Sequence, residues 1–168
     1  MKKFGFAMML GILGLALVGG GVFAAEVPLE GYALHSAPGG TMIATEDLLG
    51  SPVLLIFFTP NCPACEKELK SLDSQWRGFE EKWGVKVLPV APGVLKDQAS
   101  RLAEFVRQRW GVATLQVYVD GEPQMMEAHN VEYVPTLVLY DKEGKQVWKE
   151  TGAVPVASLE KIFGEKLR

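Results

Sequence analysis

The chain reads as one α/β domain with a central mixed β-sheet flanked by helices. Three features predict this. An unbroken apolar run at residues 53–58, bounded by Pro52 and Pro60, fits a strand buried on both faces. A helical stripe follows, in which Leu69, Leu72, Trp76, Phe79 and Trp83 are spaced 3, 4, 3 and 4 apart. Beyond it, strand-like and helix-like stretches alternate and end in a hairpin and a last helix.

The elements follow in order. Residues 25–36 read as an irregular lead-in, Pro38-Gly39-Gly40 as a turn, and residues 45–49 as one helical turn closed by Gly50. The 53–58 strand is followed by a helix over 63–82, with Pro63 in its first turn and Gly84 as its stop. Residues 85–91 predict a strand, in which Pro89 implies a bulge or an early ladder end. A helix over 99–110 turns Leu102, Phe105, Val106 and Trp110 inward; a short strand follows at 115–119, then a short helix over 123–129. The hairpin pairs 136–140 with 146–149 across Asp141-Lys142-Glu143-Gly144, and the last helix spans 156–163, stopped by Gly164. Trp76, Trp83 and Trp110 read as packing residues; Phe57, Tyr118, Tyr133 and Tyr140 read as core or substrate-groove residues, with core favoured; Trp148 is expected to be exposed.

The 168 residues suffice for a leader and one domain with a real core. Lys2 and Lys3 precede an uncharged stretch at 4–25, the pattern of an export signal. Val22-Phe23-Ala24 offers a cleavage site before Ala25. The expected organisation is a signal peptide at 1–24, the lead-in at 25–36 and the domain at 37–168. The alternative is membrane attachment through residues 4–25, a stretch long enough to span a bilayer. Either way the domain is expected outside the cytoplasm, in the periplasm or its equivalent, where disulfides persist. Without Lys2 and Lys3 the chain has 15 basic and 20 acidic residues, a balance that argues against nucleic acid as a partner.

The two cysteines stand three apart in Cys62-Pro63-Ala64-Cys65. With no other cysteine to bridge to, the pair reads as redox chemistry rather than scaffold. Cys62 lies where strand gives way to helix, so unpaired N–H groups and the helix dipole favour its thiolate, the form that attacks disulfides. Cys65, one turn deeper, is placed to resolve a mixed disulfide. Pro63 and Ala64, rigid and small, leave Cys62 open to a protein substrate. Glu68, three residues past Cys65, either handles the Cys65 proton from a buried position or faces solvent with Glu66, Lys67 and Lys70.

A hydrophobic strand, a Cys-x-x-Cys opening a helix, and Val134-Pro135-Thr136 opening a later strand resemble the thioredoxin superfamily. The likeness runs from about residue 34 to 164 and is nearest the exported TlpA/ResA-like thiol-disulfide oxidoreductases. It implies a thioredoxin-like fold with a strand-helix insertion between the Cys-x-x-Cys helix and the Pro135 strand, and a cis Pro135 beside the disulfide. It further implies that Val134 and Thr136 contact an extended substrate, and that Glu68 serves proton transfer. Protein disulfides in exported proteins, such as apocytochromes c, are the implied substrates. A membrane-bound thiol donor is the implied source of electrons, and no bound cofactor or metal is expected. The chain departs from the family in Asn61, where tryptophan is usual, and in Ile56, where thioredoxins keep an aspartate.

Reduction is the favoured direction. Cys-Pro-Ala-Cys and Val134 also resemble DsbA-like oxidases, so the alternative is a disulfide donor. A peroxiredoxin is a further rival, because Thr59 stands three before Cys62; Leu55 occupies the place of that family's expected proline. A rival of another class is a Cu(I)-binding module built from Cys62, Cys65 and His129.

Overall fold

The computed structural model describes residues 26–93, 96–122 and 124–168. The expected leader at 1–24 and any attachment through 4–25 lie outside the described residues.

Seven strands form one sheet: β1 (Ala33–Ala37), β2 (Met42–Ala44), β3 (Val53–Phe57), β4 (Lys86–Pro92), β5 (Val117–Asp120), β6 (Thr136–Tyr140) and β7 (Gln146–Thr151). Their spatial order is β2-β1-β5-β4-β3-β6-β7. β3, β4 and β5 run parallel, and all other neighbours pair antiparallel. The helices are α1 (Pro63–Asp73), α2 (Trp76–Trp83), α3 (Lys96–Trp110), α4 (Gln124–Ala128) and α5 (Val156–Lys166), with a 3-10 turn at Thr45–Leu48. This is a thioredoxin-like fold.

β3 is buried at every position, as its uninterrupted apolar run requires. Successive side chains of a strand point to opposite faces. Leu54 and Ile56 therefore join one core with Cys65, Leu69, Leu72, Phe79, Trp110 and Phe163. Val53, Leu55 and Phe57 join a second core with Leu29, Leu34, Met125 and Tyr140. β6 repeats the alternation, sending Leu137 and Leu139 to the first core and Val138 and Tyr140 to the second.

Several expected elements differ. The helix over 63–82 is two helices, parted at Ser74 and Gln75. The Ser74 hydroxyl donates to the Ser71 carbonyl (3.0 Å). The Asp73 carboxylate accepts the N–H groups of Ala113, Thr114 and Leu115 at 2.9, 2.8 and 2.6 Å. A stripe of apolar residues cannot reveal a break fixed by partners 40 residues away. The strand expected at 115–119 begins at Val117 because Leu115 is committed to Asp73. The 25–36 lead-in is not irregular throughout: β1 begins within it, and Leu29 is fully buried with its N–H on the Gly144 carbonyl (3.0 Å). β2 was not expected; its three residues are too short to show a period.

Pro89 makes no bulge. β4 pairs with β3 in unbroken register from Val53↔Lys86 to Phe57↔Val90. The Val90 carbonyl accepts from Phe58 N–H, so by alternation Pro89 faces the β5 side, one residue before that ladder starts at Val90↔Tyr118. The proline thus sits where no ladder donor is required. Gly164 does not stop α5, which runs on to Lys166. A Cβ at 164 would come within 3.3 Å of the Trp83 ring, so the glycine serves close packing against α2. Gly84 does end α2, in the left-handed conformation (φ 68°) that closes helices. Trp148 is half-buried against the first core rather than exposed, because β7 lays it beside Leu139.

Burial pushes the Asp73 carboxyl up, but its backbone donors and the Thr114 hydroxyl outweigh that and hold it below the ordinary value. Its stabilising effect is present above the unfolded value of about 3.9 and fades as pH falls through the lower native value. Asp73→Ala is expected to cost about 1–3 kcal/mol at neutral pH. Urea unfolding should show this loss, and wild type and variant should converge in acid.

Candidate active site

The reactive end is built at the carboxyl end of β3. Phe58 N–H still pairs with Val90, and the chain then leaves the sheet through Thr59-Pro60-Asn61. Cys62 is the N-cap of α1, in extended conformation, and Pro63 occupies the first helical position, where a missing N–H costs nothing. The Cys62 sulfur accepts the Cys65 N–H at 3.0 Å, taking the place a serine or aspartate oxygen has in ordinary caps.

Cys62 and Cys65 are joined as a disulfide, with Cα atoms 5.2 Å apart. Cys62 is half-buried, Cys65 is fully buried in the first core, and Pro63 and Ala64 between them are exposed. An incoming group therefore meets the Cys62 sulfur first.

The register of β3 with β6 brings the second half of the site in. Phe57 pairs with Thr136, which sets the turn before β6 beside the end of β3. The Val134–Pro135 bond in that turn is cis, and the Val134 carbonyl oxygen lies 3.5 Å from the Cys62 sulfur. The Pro135 carbonyl accepts Gly152 N–H (2.8 Å). Thr136 is paired on both sides, with Phe57 and with Thr151, so the strand-addition contact expected of it is already taken by the sheet. Its hydroxyl instead donates to the Tyr133 carbonyl (2.6 Å) and braces the turn.

Glu68 is buried, not solvent-facing. Its Oε2 accepts the N–H of Val154 (2.9 Å), while its Oε1 is buried without a hydrogen-bond partner among the described residues. Burial pushes its carboxyl up to about 7, against the smaller opposing pull of the Val154 N–H. It sits one helical turn below Cys65, on the same face. A carboxyl held up to about 7 and buried one helical turn from a buried cysteine is suited to general acid–base work. Val154 was not legible as a partner, since it uses only its backbone and lies 86 residues away.

His129 does not join the cysteines. It packs on Phe57 with ring centroids 5.2 Å apart, among the second-core residues, whereas Cys65 belongs to the first core. A carbonyl can only accept, so its Nδ1–H donates to Met125 O (2.6 Å), and Nε2 accepts from the Tyr140 hydroxyl. Burial, aided by the Lys149 ammonium, keeps the imidazole pKa below its ordinary value. With both nitrogens committed on the far side of the sheet, the three-ligand copper site is corrected. Among the described residues, no three His, Cys, Asp or Glu side chains converge to hold a metal. Tyr133, for which the core was favoured over a substrate groove, is 71% exposed because its turn stands outside the sheet.

A family model for the thioredoxin-like domain matches residues 43–166, and the chain belongs to that family. It is similar to the thiol-disulfide oxidoreductase ResA of Geobacillus kaustophilus, 30% identical over 115 residues, which cover 68% of this chain and 63% of that one. ResA of Bacillus subtilis is 31% identical over 115 residues, covering 68% and 61%. The match thus spans little more than three fifths of these relatives' own length. The structure also resembles the pneumococcal exposed lipoprotein thioredoxin Etrx1 from Streptococcus pneumoniae. There the TM-score is 0.65 at 25% identity, with 84% of this chain and 99% of that one covered.

Burial favours protonated Glu68 over ionised Glu68, so between the two values the native state holds a proton that the unfolded chain releases at about pH 4.3. The stability this confers is complete below that value and lost as pH rises through about 7. Glu68→Gln keeps an acceptor for Val154 and cannot titrate. Urea unfolding across this range should show wild type losing stability relative to the variant as pH rises.

Proposed function

We propose that this protein is a thiol-disulfide oxidoreductase that acts outside the cytoplasm and reduces disulfides in exported proteins. The observation that carries the reading is a half-buried sulfur at a helix N-cap, 3.0 Å from a backbone N–H, bonded to a fully buried partner sulfur. The N–H and the helix dipole stabilise a Cys62 thiolate once the bond is opened.

In the reduced protein the Cys62 thiolate attacks one sulfur of a substrate disulfide, forming a mixed disulfide and releasing the other substrate sulfur as thiolate. Cys65, deprotonated with Glu68 as base, then attacks the Cys62 sulfur and releases the second substrate thiolate. The substrate gains two electrons and two protons, and Cys62–Cys65 becomes a disulfide. A dithiol donor reverses the change, for which a membrane-bound thiol protein is the proposed source. Val134, whose carbonyl faces the Cys62 sulfur, contributes backbone to the substrate segment, while Pro135 and Thr136 hold the turn.

The reducing direction is supported by charge. An oxidising pair needs its reduced form stabilised. Here the residues between the cysteines, Pro63 and Ala64, bring no cation, and an ionised Glu68 would add an anion beside Cys65. Export is supported by Lys2, Lys3 and the uncharged 4–25 stretch, and by the exposed location stated for the pneumococcal neighbour. Among the described residues, no helix is long and apolar enough to cross a membrane.

Equilibration against glutathione is expected to place the pair nearer about −270 mV than about −120 mV. A value at the upper end would instead identify the disulfide-donating alternative. Cys62→Ser should remove exchange, a loss of at least about 10²-fold in rate. Cys65→Ser should accumulate mixed disulfides with substrate, visible by non-reducing electrophoresis.

A further inference from the structure

Among the described residues, three large apolar side chains are exposed: Met42, Leu49 and Tyr133. Tyr133 is the most exposed of them, at 71%, and it alone is the chain neighbour of a residue that touches the disulfide. The next residue, Val134, has its carbonyl oxygen 3.5 Å from the Cys62 sulfur. Burying Tyr133 would have been the ordinary solution for so large a ring. Its backbone is nevertheless held firmly, since the Tyr133 carbonyl accepts the Thr136 hydroxyl at 2.6 Å, and Thr136 is locked between β3 and β7. The ring is thus exposed while its anchorage is rigid.

A rigidly anchored tyrosine loses only two side-chain torsions on contact and offers a large amphipathic face, which makes it an efficient recognition group. A substrate cysteine bonded to Cys62 lies about 2.05 Å from that sulfur. In the mixed disulfide proposed above, residues flanking the substrate cysteine lie against the Val134 backbone, and Tyr133 is one peptide step, about 3.8 Å between Cα atoms, from it. A small disulfide has no flanking residues and does not extend that far.

We propose that Tyr133 is a specificity-determining contact that selects polypeptide disulfides with an aromatic or large aliphatic side chain beside the reacting cysteine. The proposal rests on the exchange activity proposed above and adds the class of polypeptide preferred. Tyr133 takes no part in electron or proton transfer; it lowers the concentration at which substrate saturates.

The test uses pre-reduced protein in single turnover with three probes. They are a peptide disulfide with phenylalanine beside each cysteine, the same peptide with alanine there, and bis(2-hydroxyethyl) disulfide. Tyr133→Ala should raise the half-saturating concentration of the phenylalanine peptide roughly tenfold and abolish its advantage over the alanine peptide. The maximal rate, the rate with bis(2-hydroxyethyl) disulfide and the denaturation midpoint should not change. Tyr133→Phe should behave as wild type. An unaltered peptide preference in Tyr133→Ala would overturn the proposal, and so would an equal loss with bis(2-hydroxyethyl) disulfide, which would make the residue structural. Wild-type protein inert toward all three probes would remove the exchange activity itself, an outcome distinct from either.

Discussion

A strand with no polar position cannot lie at the edge of a sheet, and the reactive end of this protein hangs from such a strand. β3 is buried on both faces and paired on both sides. It can leave the sheet only at its carboxyl end, where Thr59-Pro60-Asn61 delivers Cys62 to the start of α1. The same ladder that buries β3 aligns Phe57 with Thr136, and so sets the Val134–Pro135 turn against the Cys62 sulfur. The nucleophile and the turn beside it come from segments 72 residues apart, held by one antiparallel register. A slip of one residue would exchange the side chains that β6 sends to the two cores, because side chains alternate between faces.

The two faces of the sheet carry different polar loads. The first core encloses the sulfur of Cys65, and its Val154 binds the buried carboxyl of Glu68, which keeps one oxygen without a partner among the described residues. Such a group is costly in a hydrophobic interior unless it stays protonated. That cost is what moves its proton exchange to near neutral pH. The second core encloses His129, whose ring is satisfied by Met125 and Tyr140 and whose carbonyl accepts from Lys149 at 2.6 Å. Both side chains are buried and ionisable, but only Glu68 lies on the sulfur's side. His129 instead fixes the end of α4, from which the chain runs toward Tyr133 and Val134.

Outside the sheet, the links that shape the helical layer are made by side chains acting on distant backbone. Asp73 ties the end of α1 to the segment before β5, and Val154 in the connection before α5 supplies a donor to Glu68. These contacts explain why the long helix breaks where it does and why a glutamate in a charged stretch turns inward.

The sequence by itself determined the class of fold, the central strand and the Cys-x-x-Cys at a helix start. Each of these is a local pattern: an apolar run, a 3-and-4 spacing, or a cysteine pair with no third partner. The later proline turn was legible only through the resemblance to the thioredoxin superfamily. β6 at Thr136–Tyr140 was legible to the residue because a proline and a hairpin loop bound it. Only the tertiary structure decided that Glu68 is buried, that His129 lies on the far side of the sheet, that Tyr133 is exposed and that Gly164 packs on Trp83 instead of ending a helix. Local periodicity states which residues share a face but not what covers that face. What covers it depends on which strands pair and in which register, and those partners lie tens of residues away.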